Sequence, residues 1–224
     1  MSSDFQRVDQ VVLVTPQDQV IGSIDKFVAH RHPAQLHRAI SVWLQDEHGQ
    51  LLFQRRSQKK IVGATWWGNT VCGNVWPDES YEACAYRRLH GELGIEGVAL
   101  SPVMKFHYKA YANEEYAEHE IDQLYVSTVK RTELIIGMNP DEASEVLWVD
   151  KHEYFEKVDE ALMAFRLQLG RNYPTVEQTP AMTLDELRKW TPPLTIELAG
   201  VSCKIVPWTI LMSQLPDLRA ALSL

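Results

Sequence analysis

The sequence predicts an α+β fold: a mixed β-sheet flanked by helices, with an extra helical segment towards the C-terminal end. Three observations carry that prediction. Short runs rich in Val, Ile, Leu and aromatic residues recur through the first 150 positions. One long helical pattern, ESYEACAYRRLHGEL at 79–93, interrupts them. Beyond residue 150 helical signals dominate. Strands around one helix, followed by helices, bury their apolar faces best as layers packed on a mixed sheet.

QVVLVTPQDQVIGSI at 10–24 reads as two strands around a turn at 16–18. HRHPAQLH at 30–37 reads as a loop, because Pro33 lacks the N–H a continuous helix needs. RAISVWLQ and QLLFQR, at 38–45 and 50–55, predict a hairpin across 46–49. Gly and Pro between 63 and 78 leave room only for short strands. The helix at 79–93 has Pro77 and Asp78 at its mouth and Gly94 at its end. Strands are predicted near 101–111, 119–129 and 145–149. GRNYPTVEQTPAM at 170–182 predicts a long, mobile loop, Thr183 and Glu186 have capping-box spacing, and 208–222 reads as a terminal amphipathic helix.

The chain has 224 residues, 45% of them hydrophobic and 23% charged, which fits one globular domain spanning 1–224. Within it, 19–150 reads as the core and 151–224 as an extension packing on it. A net charge of −8 argues against nucleic acid or an anionic membrane as partner. The opening MSSDFQRVDQ shows no basic-then-apolar leader, and no apolar run reaches membrane-spanning length. Three cysteines without CxxC spacing point to reduced thiols in the cytoplasm. Monomer and homodimer are both compatible with the sequence.

Glu92 stands in the last turn of the 79–93 helix, where the helix dipole disfavours a carboxylate. Arg88, four residues earlier, shares its face. A surface ion pair and a metal ligand beside an anion-binding arginine account for this equally well. In EYAEHEIDQLY, Glu118 and Glu120 point to one face of a strand and His119 to the other. Two such carboxylates repel unless a cation lies between them, although a lone pair is usually an exposed edge. His30 and His37 flank the 30–37 loop, and with those glutamates they make a donor set suited to zinc, manganese or iron. Lys26, Arg55, Arg56, Lys60, Arg87 and Arg88 form a basic set fitting an anion pocket, whereas Lys59 reads as a solvating charge. By default Cys72 is a buried inert thiol, and Cys84, Cys203, Tyr108 and Trp208 are packing residues.

The 73–95 stretch resembles the Nudix box, with Arg88 and Gly91 standing where the hydrolases of that superfamily carry metal-binding glutamates. Together with LHRAISVWL, QLLFQRRSQKK, NTVCG, FHYKAYA, EHE and, more weakly, IVPWTI, it is similar to the type I isopentenyl-diphosphate isomerases. The resemblance implies a Nudix fold and conversion of isopentenyl diphosphate to dimethylallyl diphosphate. It implies Cys72 and Glu120 as the proton-handling groups, Tyr108 supporting Glu120, and Trp208 facing the developing cation. It also implies a divalent metal, Mn²⁺ or Zn²⁺, on His30, His37, Glu118 and Glu120. A Mg²⁺ would sit on Glu92 and the Cys72 carbonyl, with Lys26, Arg56, Lys60 and Arg88 on the diphosphate. One position departs: Asn74 stands where the family has a metal-ligating histidine, and an amide oxygen is a weaker ligand. A Nudix hydrolase of another diphosphate and a non-catalytic diphosphate binder are the alternative readings.

Overall fold

The computed structural model describes residues 10–224; the opening segment, in which no leader is expected, lies outside the described residues. One mixed sheet organises the fold. Its strands are β1 (Gln10–Val14), β2 (Val20–Asp25), β3 (His37–Asp46), β4 (Gln50–Arg56), β5 (Trp67–Gly68), β6 (Val71–Asn74), β7 (Ser101–Tyr111), β8 (Ala117–Val129), β9 (Ala143–Asp150), β10 (Leu194–Leu198) and β11 (Val201–Ile205). The main path runs β10-β11-β5-β4-β3-β1-β2, with β6 and β8 on β3, β7 on β8 and β9 on β4. The β3–β8 and β11–β5 pairings are parallel and the rest antiparallel, so the sheet is mixed as predicted.

The helices are α1 (Lys26–His30), α2 (Tyr81–Leu93), α3 (Lys151–Leu169), α4 (Leu184–Trp190), α5 (Pro207–Ser213) and α6 (Pro216–Ala221). Each boundary has a local cause. Ser80 caps α2 by accepting from the Ala83 N–H, and Gly94 ends it at φ 63°, a left-handed conformation glycine adopts without strain. Asp150 caps α3 through the His152 and Glu153 N–H groups. Thr183 and Glu186 close the predicted capping box on α4.

Apolar residues fill both faces of the sheet. On one side α2 lays Cys84, Ala85, Leu89 and Leu93 over Ile40, Val42 and Leu52. On the other, α3, α5 and α6 cover Trp43, Phe53, Tyr108 and Leu124. There Phe53 and Tyr154 lie 4.6 Å apart by ring centroid and Trp43 packs 5.7 Å from each, a geometry that adds to simple burial.

Two expectations are corrected and two are refined. The 38–55 hairpin forms across 46–49 with β3 and β4 antiparallel, but it pairs at Gln45–Leu51 alone, since β3 also takes β6 and β8 as neighbours and β4 takes β5 and β9. The 170–182 loop is pinned rather than loose: Tyr173, Val176 and Thr179 are buried, and Thr179 Oγ1 accepts from the Lys109 N–H at 2.9 Å. The terminal helix is two helices, broken before Pro216, whose missing N–H cannot continue the ladder. The mainly helical C-terminal segment also carries one hairpin, β10 and β11, which extends the sheet.

Candidate active site

Strand β3 is the ruler of the site. Directly opposed residues in a ladder share a face. His37 opposes Glu120 and Ala39 opposes Asp122 on β8, while Ala39 opposes Asn74 and Ser41 opposes Cys72 on β6. On β7, Tyr108 opposes Glu120. One face of the sheet therefore carries His37, Ser41, Cys72, Asn74, Tyr108, Glu118, Glu120 and Asp122. Trp208, at the start of α5, belongs to the core on that side.

His30, His37, Glu118 and Glu120 each bring one donor atom to within 4.8 Å of the others. His30 Nδ1 meets the Lys26 carbonyl at 2.5 Å, and His37 Nδ1 meets that of Gln35 at 2.8 Å. An Nδ1 facing a carbonyl is the protonated one, which leaves Nε2 as the lone-pair atom. The two Nε2 atoms face Glu118 at 3.1 Å and Glu120 at 3.3 Å. Lone pairs opposed at that range repel unless a proton or a cation separates them. His37 Nε2 is wholly buried and has no hydrogen-bond partner. Two imidazole nitrogens and two carboxylates thus fit a divalent cation. Without one, a proton substitutes: burial pulls His30 down, yet Glu118 and Glu120 outweigh it and raise its pKa to about 9. Burial likewise pushes Glu118 up, but His30 and His37 outweigh it and bring the carboxyl down to about 2.

His119 points to the opposite face, its Nδ1 on the Ala34 carbonyl and its Nε2 3.0 Å from His107. His32 is held by the Asn113 carbonyl at 3.0 Å. Neither joins the cluster. Asn74 lies on the cluster's face, two positions along β3 from His37, and its own carbonyl accepts from Arg87 and Cys84.

Cys72 sits between oxygens, 3.3 Å from Ser41 Oγ and 3.3 Å from Asn69 Oδ1. Burial, with Asp122 nearby, pushes its thiol up to about 12. Tyr108 donates to Glu120 Oε2 at 2.6 Å, and burial plus that carboxylate push its hydroxyl well above the ordinary range. Trp208 is buried, with the Arg56 guanidinium 5.3 Å from its ring centre.

A second charged group lies at the end of α2. Arg88 bridges Glu92 at 2.7 Å and Glu142 at 3.0 Å, and Lys60 also pairs with Glu142. Glu92 is buried and accepts from Gln54 Nε2 at 2.7 Å, so the surface-pair reading fails here. Arg88 lies across Gly73: a Cβ there would sit 2.5 Å from Arg88 Cγ, which explains the glycine of the C-G pair. Arg56 binds the Val62 carbonyl, Lys26 lies 4.8 Å from the Phe27 ring, Arg87 pairs with Glu79, and Arg55 pairs with Glu145. Lys59, paired with Asp141 in solvent, is the solvating charge it was expected to be.

Sequence reasoning missed Ser41, Asn69, Asp122 and Glu142. Asp122 continues the alternation of Glu118 and Glu120, and Asn69 opens the NTVCG motif, so both carried a signal. Glu142 comes from a loop with no periodicity to betray it.

This fold and face define a class. The family model described as "NUDIX domain" matches residues 35–168. A Deinococcus radiodurans protein of solved structure, 19% identical, covers 81% of this chain and 98% of its own, with a TM-score of 0.53; that likeness is one of fold. The chain is 36% identical over 143 residues to the isopentenyl-diphosphate Delta-isomerase of Klebsiella pneumoniae, covering 63% of this chain and 76% of that protein. It is 34% identical over 158 residues to the enzyme of the same name from Citrobacter koseri, covering 70% and 86%. The chain belongs to the NUDIX family, on its isopentenyl-diphosphate Delta-isomerase branch. Among the described residues, no helix is long and apolar enough to cross a membrane.

Proposed function

We propose that this chain converts isopentenyl diphosphate to dimethylallyl diphosphate, with Cys72 and Glu120 handling the protons. The observation that carries the reading is their common face: Ser41 opposes Cys72 on β3, His37 opposes Glu120 four residues away, and Tyr108 donates to Glu120. The double bond moves when one alkene carbon gains a proton and a neighbouring carbon loses one, through a tertiary carbocation. One group supplies the first proton and the other accepts the second, so the substrate's formula is unchanged. Tyr108 orients Glu120 by its hydrogen bond. The buried indole of Trp208 stabilises positive charge through its quadrupole, by roughly 0.5–2 kcal/mol. The apolar side of the site excludes the water that would trap the cation.

The proposed ligands of Mn²⁺ or Zn²⁺ are His30, His37, Glu118 and Glu120, with Asn74 as a weaker fifth. Such an ion supplies positive charge that fixes the two carboxylates. A Mg²⁺ on Glu92 and the Cys72 carbonyl would supply charge for the diphosphate; Arg88 and Gln54 hold the two Glu92 oxygens, so the ion would have to displace one of them. Lys26, Arg56, Lys60 and Arg88 are the proposed contacts to its oxygens. Three unpaired cysteines fit a reducing compartment such as the cytoplasm.

The test is to incubate the purified chain with isopentenyl diphosphate and Mg²⁺, with and without Mn²⁺ or Zn²⁺. Dimethylallyl diphosphate without free phosphate is the expected product. Phosphate release without isomerisation would replace this reading with hydrolysis.

A further inference from the structure

Asn69, the first residue of NTVCG, has no part in the chemistry above, yet it is 1% exposed and fully engaged. Its Nδ2 donates to the carbonyls of Val42 and Val71, both at 3.1 Å. Only an NH₂ group satisfies two carbonyls, so the amide's orientation is fixed. Its Oδ1 then accepts from Thr209 Oγ1 at 2.9 Å and from Cys72 Sγ at 3.3 Å. Its backbone N–H returns a bond to Thr209 Oγ1 at 3.3 Å. Across the sulfur stands Ser41 Oγ, itself donating to Asp122 at 2.6 Å. Thr209 is fully buried and follows Trp208 on α5.

We propose that Asn69 and Thr209 are positioning residues for Cys72, locking its thiol in one rotamer and tying that rotamer to the seating of α5. The inference rests on reading Cys72 as a proton-handling group. A cysteine side chain turns about one bond with three staggered wells, and its S–H is a weak donor. It does not hold its own aim. The isomerisation needs sulfur directed at one carbon, and a displacement of about 1 Å costs on the order of 10²-fold in rate. Asn69 is a rigid acceptor because its two bound amide hydrogens and the Thr209 hydroxyl on its Oδ1 together hold the amide. Thr209 adds the link to the C-terminal segment. The helix that brings the Trp208 ring to the site therefore also completes the lock on the thiol, and the two arrive together.

Thr209→Val removes the hydroxyl while keeping the shape, and Thr209→Ser restores it. Two readouts separate positioning from packing: kcat against KM for isopentenyl diphosphate, and the Hα–Hβ couplings of Cys72 in protein carrying ¹³C,¹⁵N-cysteine. The wild type is expected to show couplings of a single rotamer. Thr209→Val is expected to average them and lower kcat roughly tenfold or more, with KM unchanged within about twofold. Serine restores both. Single-rotamer couplings in Thr209→Val, an unchanged kcat, or a loss residing in KM would overturn the proposal. If valine prevents folding, Thr209→Ala gives the same readouts. Should the wild type fail to isomerise, the proposed function falls, while the couplings still decide whether the lock exists.

Discussion

Two partly buried charged groups flank the same strand system, and they are built on opposite principles. At the end of α2, Glu92 and Glu142 are met by Arg88 and Lys60, so that group is neutral from its own side chains. Burial pushes Glu142 up, but Arg88 and Lys60 outweigh it and hold the carboxyl low. Around His30, His37, Glu118 and Glu120 the balance is left open, and His30 must borrow a proton to fill it. The first arrangement is closed and has to be entered by an anion that competes for its cations. The second is shaped around a positive charge it does not itself contain. A charged cluster in a NUDIX fold is thus read better by what it lacks than by how many carboxylates it holds.

The sharpest way to break this contrast is at the reacting groups. Cys72→Ala and Glu120→Gln should each lower turnover by roughly 10²–10⁴-fold, as for a lost general acid or base, in an assay for dimethylallyl diphosphate. A hydrolase dependent on Glu92 would keep its activity in both. Next, His37→Ala should strip the open cluster of its metal, read by metal analysis after gel filtration, while Glu142→Gln leaves metal content unchanged. Loss of metal in both variants would mean the clusters are not distinct.

Proton competition sharpens the contrast further. His30 Nε2 gives up its proton before it serves a cation, and that proton is held to about pH 9. Apparent Zn²⁺ or Mn²⁺ affinity should therefore rise, by up to about tenfold per pH unit, until that value and then level off in titration calorimetry. In the metal-free chain the sign is the reverse. A raised histidine pKa stabilises the fold fully below the ordinary 6.5, and that contribution is lost as pH rises through about 9. Melting temperature against pH, with and without metal, should show curves that diverge.

A smaller effect belongs to Glu142→Gln. Freeing Lys60 and Arg88 from a carboxylate should lower KM for the diphosphate by a few-fold, about the worth of one partly exposed ion pair. The smallest lies away from both clusters. Tyr154 donates to Ser213 Oγ at 2.6 Å, joining α3 to α5. Tyr154→Phe should cost about 0.5–1.5 kcal/mol in denaturant unfolding and leave metal content alone.

Much of the open cluster was legible in the sequence because its parts obey local rules. Glu118 and Glu120 alternate on one strand, and His30 and His37 bracket a loop that proline keeps from being a helix. The closed cluster was half legible. Arg88 and Glu92 are one helical turn apart, but Glu142 arrives through a loop whose place is set by bonds to the end of α2, Gly137 N–H to Leu93 and Asn139 N–H to Glu92. Those contacts have no pattern in the chain. The β10–β11 hairpin did leave a trace, since LTIEL and VSCKI alternate around Ala199 and Gly200, both at positive φ. Helical patterns on both sides masked it. The β3–β4 hairpin was legible, but the further neighbours of each strand were not, because which neighbour a strand chooses is settled by residues far along the chain.

The order of the parts along the chain has its own consequence. His30, His37, Glu118 and Glu120 are all made earlier, on α1, β3 and β8, whereas Trp208 and Thr209 come on α5, after both strands of the last hairpin. A ribosome delivers the proposed metal ligands well before the ring and the hydroxyl that complete the alkene end. In a growing chain the proposed ion site is therefore complete in sequence before the alkene end is, and α5 supplies the groups that finish it.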